Sequence, residues 1–412
     1  MKEGWENIKL GELCDLQNGF AFKSKDYIET SNTVNFRMSQ IRPGGTIDLE
    51  NNPKYLPDGY ADIYKNYLLK EGDIVIAMTD MATETKILGV PTIIPNDSRN
   101  WLLNQRVGKL FNIDKTKINT EYLKHILVSE SINDYYKSLG RGGLQINIGK
   151  QDILNAVIPL PPLPEQQRIV SILDHCFEAI DKAKANAEQN LQNAKELFES
   201  YLQGVFEKRG EGWEKKTLGA LCKFNQGIQR GVELQTEVQK ENQVRFLRIV
   251  DFTQGNEPPR YIDNPGTKYV LNEDDVSLVR YGASTGFVCR GIHGALANNM
   301  FRVIPNNLNE LSNDFLYIYL LSPIFKNVIK KSMGGAAMPA ISFGLIKNIP
   351  FPIPNLKEQE RIAYQFELLQ AETQNLLSHY QKRIDDLEEL KKSILQKAFA
   401  GELKTEKVEE FA

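Results

Sequence analysis

Cysteine is scarce in this chain. The four present, Cys14, Cys176, Cys222 and Cys289, are far apart and form no CxxC pair. That pattern argues against a structural zinc site and predicts reduced, buried thiols. Histidine is equally rare: His125, His175, His293 and His379 share no spacing that fits a metal site or a catalytic triad. Long apolar runs are absent too, none approaching the roughly 18 residues a bilayer span needs. The first ten residues, MKEGWENIKL, carry no signal-type apolar segment, so a cytoplasmic location with no membrane contact is expected. Nor is there an excess of positive charge. Lys and Arg number 50 against 53 Asp and Glu, a net charge of −3. Binding to nucleic acid through bulk electrostatics alone is thereby excluded, and any such contact needs local patches or a partner that supplies cations. The remaining composition, 41% hydrophobic and 25% charged over 412 residues, suits a soluble protein of two or three domains.

What the chain does have is an internal repeat. Gly4-Trp5-Glu6 and Leu10 to Cys14 recur as Gly212-Trp213-Glu214 and Leu218 to Cys222, an offset of 208. VNFRMSQI (34–41) resembles VRFLRIVDF (244–252), which sets Arg37 opposite Arg248. DIVIAM (73–78) aligns with DVSLVR (275–280) at an offset of 202. From Asn119 to Phe206 the offset settles at 193. In each copy, short apolar runs broken by PGG, PDG, NPG and YGASTG predict strands and turns of a β-rich α/β domain. A helix is expected to follow from each of the N-cap candidates Asn119 and Ser312.

Next comes a proline segment, IPLPPLPEQQRIV (158–170), repeated as IPFPIPNLKEQERI (349–362), and each leads straight into a long helical stretch. The prolines predict a stiff polyproline II approach, with Pro164 placed in the first helical turn where its missing N–H costs nothing. In the second helix Ile362, Phe366, Leu369, Thr373, Leu376, Tyr380, Arg383, Leu387, Leu390 and Ile394 step by four and three, a heptad seam. The first shows the same spacing through Ile169, Leu173, Cys176, Ile180, Ala183 and Ala187, and shifts at Asn190-Leu191. Glu165 to Phe206 and Glu358 to Phe399 each span about 42 residues, or ~63 Å. Equal rods that each want one partner predict an antiparallel coiled coil. The fold expected is therefore α+β: two similar β-rich α/β domains joined and separated by two long antiparallel helices, with pseudo-two-fold symmetry. Its parts are a first domain (1–157), a proline lead-in with the first long helix (158–209), a second domain (210–348), a second lead-in with helix (349–404), and a tail (405–412).

This arrangement of a variable domain, PLPPLPEQQRI, a helix ending in LQGVF, and a second copy closed by SILQKAFAGEL resembles the specificity subunit of a Type I restriction-modification system. The resemblance runs from Gly4 to Leu403, and the second copy departs from it in carrying Asn355 and Lys357. It implies that each variable domain is a target-recognition domain reading half of a bipartite double-stranded DNA sequence. It also implies that the helices set the spacer and dock two methyltransferase subunits, with restriction and motor subunits joining them. S-adenosylmethionine, ATP and Mg²⁺ would then belong to the partners and no cofactor or metal to this chain, which would not itself be an enzyme. The residues point the same way. The nearest strings to an (N/D)PP(Y/F) tetrad, Asn51 to Lys54 and Asp263 to Gly266, lack the second proline and the aromatic, and no GxxxxGK(S/T) occurs. The alternatives are a scaffold joining two protein-binding domains and a fused DNA methyltransferase.

Candidate DNA contacts follow from side-chain chemistry. Arg37 and Arg248 suit a phosphate or guanine contact, against an ion pair inside the domain. Gln17, Asn18 and Lys23 in QNGFAFK, with Gln226, Gln229 and Arg230 in NQGIQR, bring amides that read adenine, against a plain turn. The segment MTDMATETK, with Thr79, Thr83 and Lys86, stands against RYGASTG, with Arg280, Ser284 and Thr285, and the hydroxyls and small residues allow close approach to a sugar-phosphate backbone. Arg141 and Gln145 lie in the loop before the first proline segment. Cys14 and Cys222 are expected in the cores, and His175 and His379 on the surface of the rods.

Overall fold

A computed structural model describes residues 3–83, 85–140, 142–208, 210, 212–255, 257–332 and 340–403. The chain divides into two compact units, Met1–Asn186 with Arg383–Ala412, and Ala187–Lys382. Each unit therefore takes one β-rich domain and a stretch of both long helices.

In the first unit the strands Asp15–Asn18, Val107–Phe111, Ile74–Ala77 and Pro91–Ile93 lie in that order in an antiparallel sheet. A second sheet is formed by Tyr55–Leu56, Thr33–Phe36 and Asn100–Leu103, the last two parallel. The second unit repeats both sheets. Cys222–Gln226, Met300–Pro305, Val276–Val279 and Val288–Cys289 make one. Arg260–Asp263, Gln243–Leu247, Gly294–Leu296 and Val270–Leu271 make the other. The strands inside DIVIAM and DVSLVR are buried along their whole length, as a continuous apolar run requires. Both helix starts are as expected: the Asn119 side chain accepts from the amides of Glu121 and Tyr122, and Ser312 from Phe315.

The proline segments differ from expectation. Val157–Leu160 and Pro350–Ile353 are not free polyproline II approaches but β-strands, paired antiparallel with Glu6–Lys9 and Glu214–Thr217. A two-stranded ribbon has only edge strands, and an edge is where proline is tolerated. The pairing repeats residue for residue: Asn7 faces Pro159 and Lys215 faces Pro352. The departure at Asn355 also acquires a reason. The Pro162 carbonyl accepts from the amides of Glu165 and Gln166, the Asn355 carbonyl accepts likewise from Glu358 and Gln359, and the Asn355 side chain adds a bond from the Glu358 amide at 3.0 Å. A cap stands where the second proline of the pair is lacking.

The long helices run Leu163–Glu207 and Leu356–Phe399, 45 and 44 residues. Within the first unit Lys184 pairs with Glu388 and Lys391 with Asp181, so their numbers fall as the partner's rise and the helices are antiparallel. In the second unit Phe198 meets Phe366 with ring centroids 5.5 Å apart. The expected seam of the first helix holds, with Ile169, Leu173, Ile180 and Ala187 buried and Cys176 and Ala183 half-buried, but along the second helix the strict heptad does not. Leu376 and Leu390 are 41% and 47% exposed and Arg383 is exposed, whereas Ile362, Thr373, Ile384 and Leu395 are all buried. Those four recur every eleven residues, whereas in the first helix Leu173, Ile180, Ala187 and Ala194 are buried at intervals of seven. Eleven residues over three turns match an unstrained helix more closely than seven over two, so the buried stripe of the second helix stays on one face.

The helix ends complete the domain cores. Phe399 packs edge-on against Tyr122, and Phe206 against Tyr319, with centroids 5.4 and 5.3 Å apart. Burial pushes the thiols of Cys14, Cys222 and Cys289 up to about 12, leaving them small apolar core groups. His175 and His379 are exposed on the helices, but His125 is buried, its Nε2 2.9 Å from Asp174 Oδ1. Among the described residues, no helix is long and apolar enough to cross a membrane.

Candidate nucleic-acid interface

Both units contain the same crossing between their two sheets. After Asp15–Asn18 the chain leaves the first sheet at Gly19, whose amide donates to the Val107 carbonyl, while the Phe20 amide reaches Leu103 in the second sheet. A Cβ on Gly19 would lie 2.1 Å from the Asn104 carbonyl oxygen. Gly227 makes the same crossing, its amide donating to Met300 and that of Ile228 to Leu296, and a Cβ there would lie 2.1 Å from the Ala297 oxygen. The glycines of QNG and NQG are thus required by backbone approach, and neither segment is a plain turn.

Around each crossing the polar candidates gather. In the second unit Gln226 donates to the Asn298 carbonyl at 2.7 Å and accepts from Arg280 Nη1. Arg280 also donates to Ile341 O at 3.3 Å, and its guanidinium stacks over the Phe343 ring at 4.6 Å. Gln229 accepts from Asn298 Nδ2, and Arg230 donates to the Gln229 carbonyl at 3.2 Å. In the first unit Gln17 donates to the Asn66 carbonyl at 2.8 Å, whereas Asn18 and Lys23 are exposed. Residues 104–106 and 297–299, at the same corner, were not singled out from sequence. Gln105 is exposed and Arg106 half-buried there. Their signal is a short polar break, NQR or NN, between two apolar strands.

The loop candidates are also brought together. Thr79–Met81 pairs with Gln145–Asn147, and Thr79 Oγ1 donates to Asn147 Oδ1 at 2.6 Å. The Asp80 carboxylate closes the intervening loop by accepting from the amides of Met81, Ile87 and Leu88. Thr83 is exposed on that loop, and Leu144 opposite is 83% exposed. The second unit keeps the contact as a single bridge between Tyr281 and Ala340. Ser284 and Thr285 lie in its loop, where Thr285 Oγ1 donates to the Gly282 carbonyl at 2.6 Å. Lys86 lines a cleft with Glu130, Asp134 and Lys392, on the helix side of the domain. Arg141 lies outside the described residues.

The two matched arginines are held differently. Arg248 bonds Asp251 Oδ2 at 3.1 Å, and Arg245 bonds Asp251 Oδ1 at 2.9 Å. Burial works against ionisation of Asp251, but the hydrogen bonds from Arg245 and Arg248 outweigh it and hold the carboxyl below its ordinary range. Arg248 is therefore engaged in an ion pair inside its own domain. Arg37 has Gln40 at the matching place, which caps its amide at 2.8 Å, and its Nη1 is buried without a hydrogen-bond partner.

The fold consists of two sheet-crossing recognition domains on antiparallel helices, with no cluster among the described residues that could hold a metal ion. The family model for the Type I restriction modification DNA specificity domain matches the chain twice, over residues 2–191 and 210–389, and the chain belongs to that family as a DNA-specificity subunit, with catalysis lying on other subunits. The EcoBI specificity subunit of Escherichia coli is 23% identical over 97% of this chain and 86% of its own. The StySPI specificity subunit of Salmonella potsdam is 25% identical over 98% and 90%. Among solved structures, a chain of a type I R-M system matches with a TM-score of 0.75 at 22% identity, covering 98% of this chain and 99% of that one. The HsdS subunit from Thermoanaerobacter tengcongensis gives 0.53 at 22% identity over 98% of both chains.

Proposed function

We propose that each unit reads one half of a bipartite double-stranded DNA target at its sheet crossing, and that the long helices hold the two halves at a fixed gap. The supporting observation is a constant frame with changed side chains. The glycine crossing and the strand register repeat, whereas Asn18 is replaced by Gln226, Met78 by Arg280, Gln105 by Asn298 and Arg106 by Asn299. Amides and arginines at a fixed place suit the reading of base edges, and a different set in each copy suits two different half-sites. Half-sites read from one face of the duplex stand about one helical turn apart, near 10 bp.

The helices also dock two methyltransferase subunits, for which Leu197 and Leu390 offer matching positions 193 residues apart, 61% and 47% exposed. S-adenosylmethionine, ATP and Mg²⁺ belong to those subunits and to the restriction and motor subunits. The test is modified-base sequencing of cells that make this chain with its methylating partner, beside a strain lacking this gene. A methylated adenine motif split by an unspecified gap, present only with the gene, is the expected result. An unchanged methylome with the complex assembled would leave a scaffold as the better explanation.

A further inference from the structure

We propose that Gln166 and Gln359, the glutamines of the repeated Glu-Gln-x-Arg-Ile motif, are positioning residues that fix the angle between each recognition domain and its long helix. The inference rests on the bipartite reading above, because that angle sets the gap between the half-sites. Both side chains are fully buried although they belong to the first turn of a helix. Gln166 Oε1 accepts from the amide of Asn119 at 2.8 Å, while Nε2 donates to the carbonyls of Lys117 at 2.8 Å and Pro161 at 2.7 Å. Gln359 repeats this with Ser312 at 3.0 Å, Glu310 at 2.7 Å and Pro354 at 3.0 Å.

Each amide thus joins three pieces of backbone: the cap of the domain's own helix, the loop before it, and the turn into the rod. Both N–H groups are used, so no water is needed to satisfy the donors. The chemistry tolerates little else. Glutamate would aim an oxygen at two carbonyls in a buried place, and alanine would leave an amide and two carbonyls unpaired. Equal geometry in two copies whose surroundings differ points to a shared demand on orientation.

The test uses the full chain assembled with its methylating subunits and labelled S-adenosylmethionine, on DNA carrying both half-sites at a series of gaps. Wild type is expected to methylate one gap sharply. Gln359→Ala should keep the same half-site bases but discriminate about tenfold less between that gap and its neighbours, as expected when several hydrogen bonds are lost. Gln166→Ala should do the same. A merely structural role would lower methylation at every gap without changing the profile, and that result would overturn the proposal. If Gln359→Ala does not fold, Gln359→Met keeps the length and apolar bulk. Faster exchange of the Ser312 amide together with a broadened gap profile is then expected, and faster exchange with an unchanged profile refutes the clamp. A wild-type complex that shows no split target defeats the bipartite reading instead, so the two failures are distinct.

Discussion

Lengthening the rods gives the sharpest test of the spacer. Eleven residues make about three turns and return a side chain to the same helix face, which sets the unit of insertion. Inserting eleven residues after Asn186 and after Lys382, where the chain passes between the units, lengthens each helix by ~16 Å. With the helices along the duplex that is about 5 bp at ~3.4 Å each, which turns the second half-site to the opposite face of the DNA. Twenty-two residues add ~33 Å, about 10 bp, and restore both the helical stripe and the DNA face. The longer variant should therefore methylate the same half-sites with a gap about 10 bp wider, and the shorter one should methylate no bipartite target. The readout is modified-base sequencing, with circular dichroism and assembly with the methylating subunits as controls. A 22-residue variant that assembles and still uses the original gap would refute the ruler.

Two further outcomes concern the frame. Gly19→Ala should force apart the crossing in which Gly19, Phe20 and Gln105 each donate one backbone hydrogen bond, costing about 2–4 kcal/mol at roughly 1 kcal/mol each, and Gly227→Ala should do likewise. Denaturant unfolding checks this, with Lys23→Ala expected within about 0.5 kcal/mol of wild type, and a similarly small change in Gly19→Ala would contradict the crossing. Burial holds the His125 imidazole below its ordinary value, against the pull of the Asp174 carboxylate. The unfolded chain then takes up a proton first, so stability of the first unit is complete above about pH 6.5 and declines as pH falls below it. His125→Leu should flatten that decline between pH 7 and 5.5 in thermal unfolding, and an unchanged slope would assign it to other groups.

Much of the architecture was legible because it depends on repetition and periodicity. The offset of 193, the N-caps at Asn119 and Ser312 and the long helices all follow from local patterns that tertiary packing reinforces. The seam of the first helix is buried or half-buried from Ile169 to Ala187 as its spacing predicts, but that of the second departs because Leu376 and Leu390 are apolar yet face outward. The prolines concealed a strand: its partner Glu6–Lys9 has only one apolar residue, Ile8, and lies about 150 residues away. The site was less legible still. Asp251 stands three residues from Arg248 in plain view, but Arg245 joins the same carboxylate only once the strand is formed. Gly19 read as a turn residue because the carbonyl that excludes its Cβ comes from Asn104, beyond the reach of any local pattern.

The ion pairing of its arginines accords with a chain of net charge −3 that does not rely on bulk attraction to DNA. Arg42, Arg99, Arg245, Arg248, Arg260, Arg290 and Arg302 each pair with a carboxylate within their own unit. A guanidinium held in this way has most of its field cancelled and releases few counterions from a duplex. On the proposed reading, sequence-independent attraction would fall to the partner subunits, and the edges at Asn18, Gln105, Gln226 and Arg280 could differ between copies without changing how tightly the complex holds DNA. On that reading affinity and choice of sequence lie on different chains. Such a separation would let one frame carry two unlike half-sites.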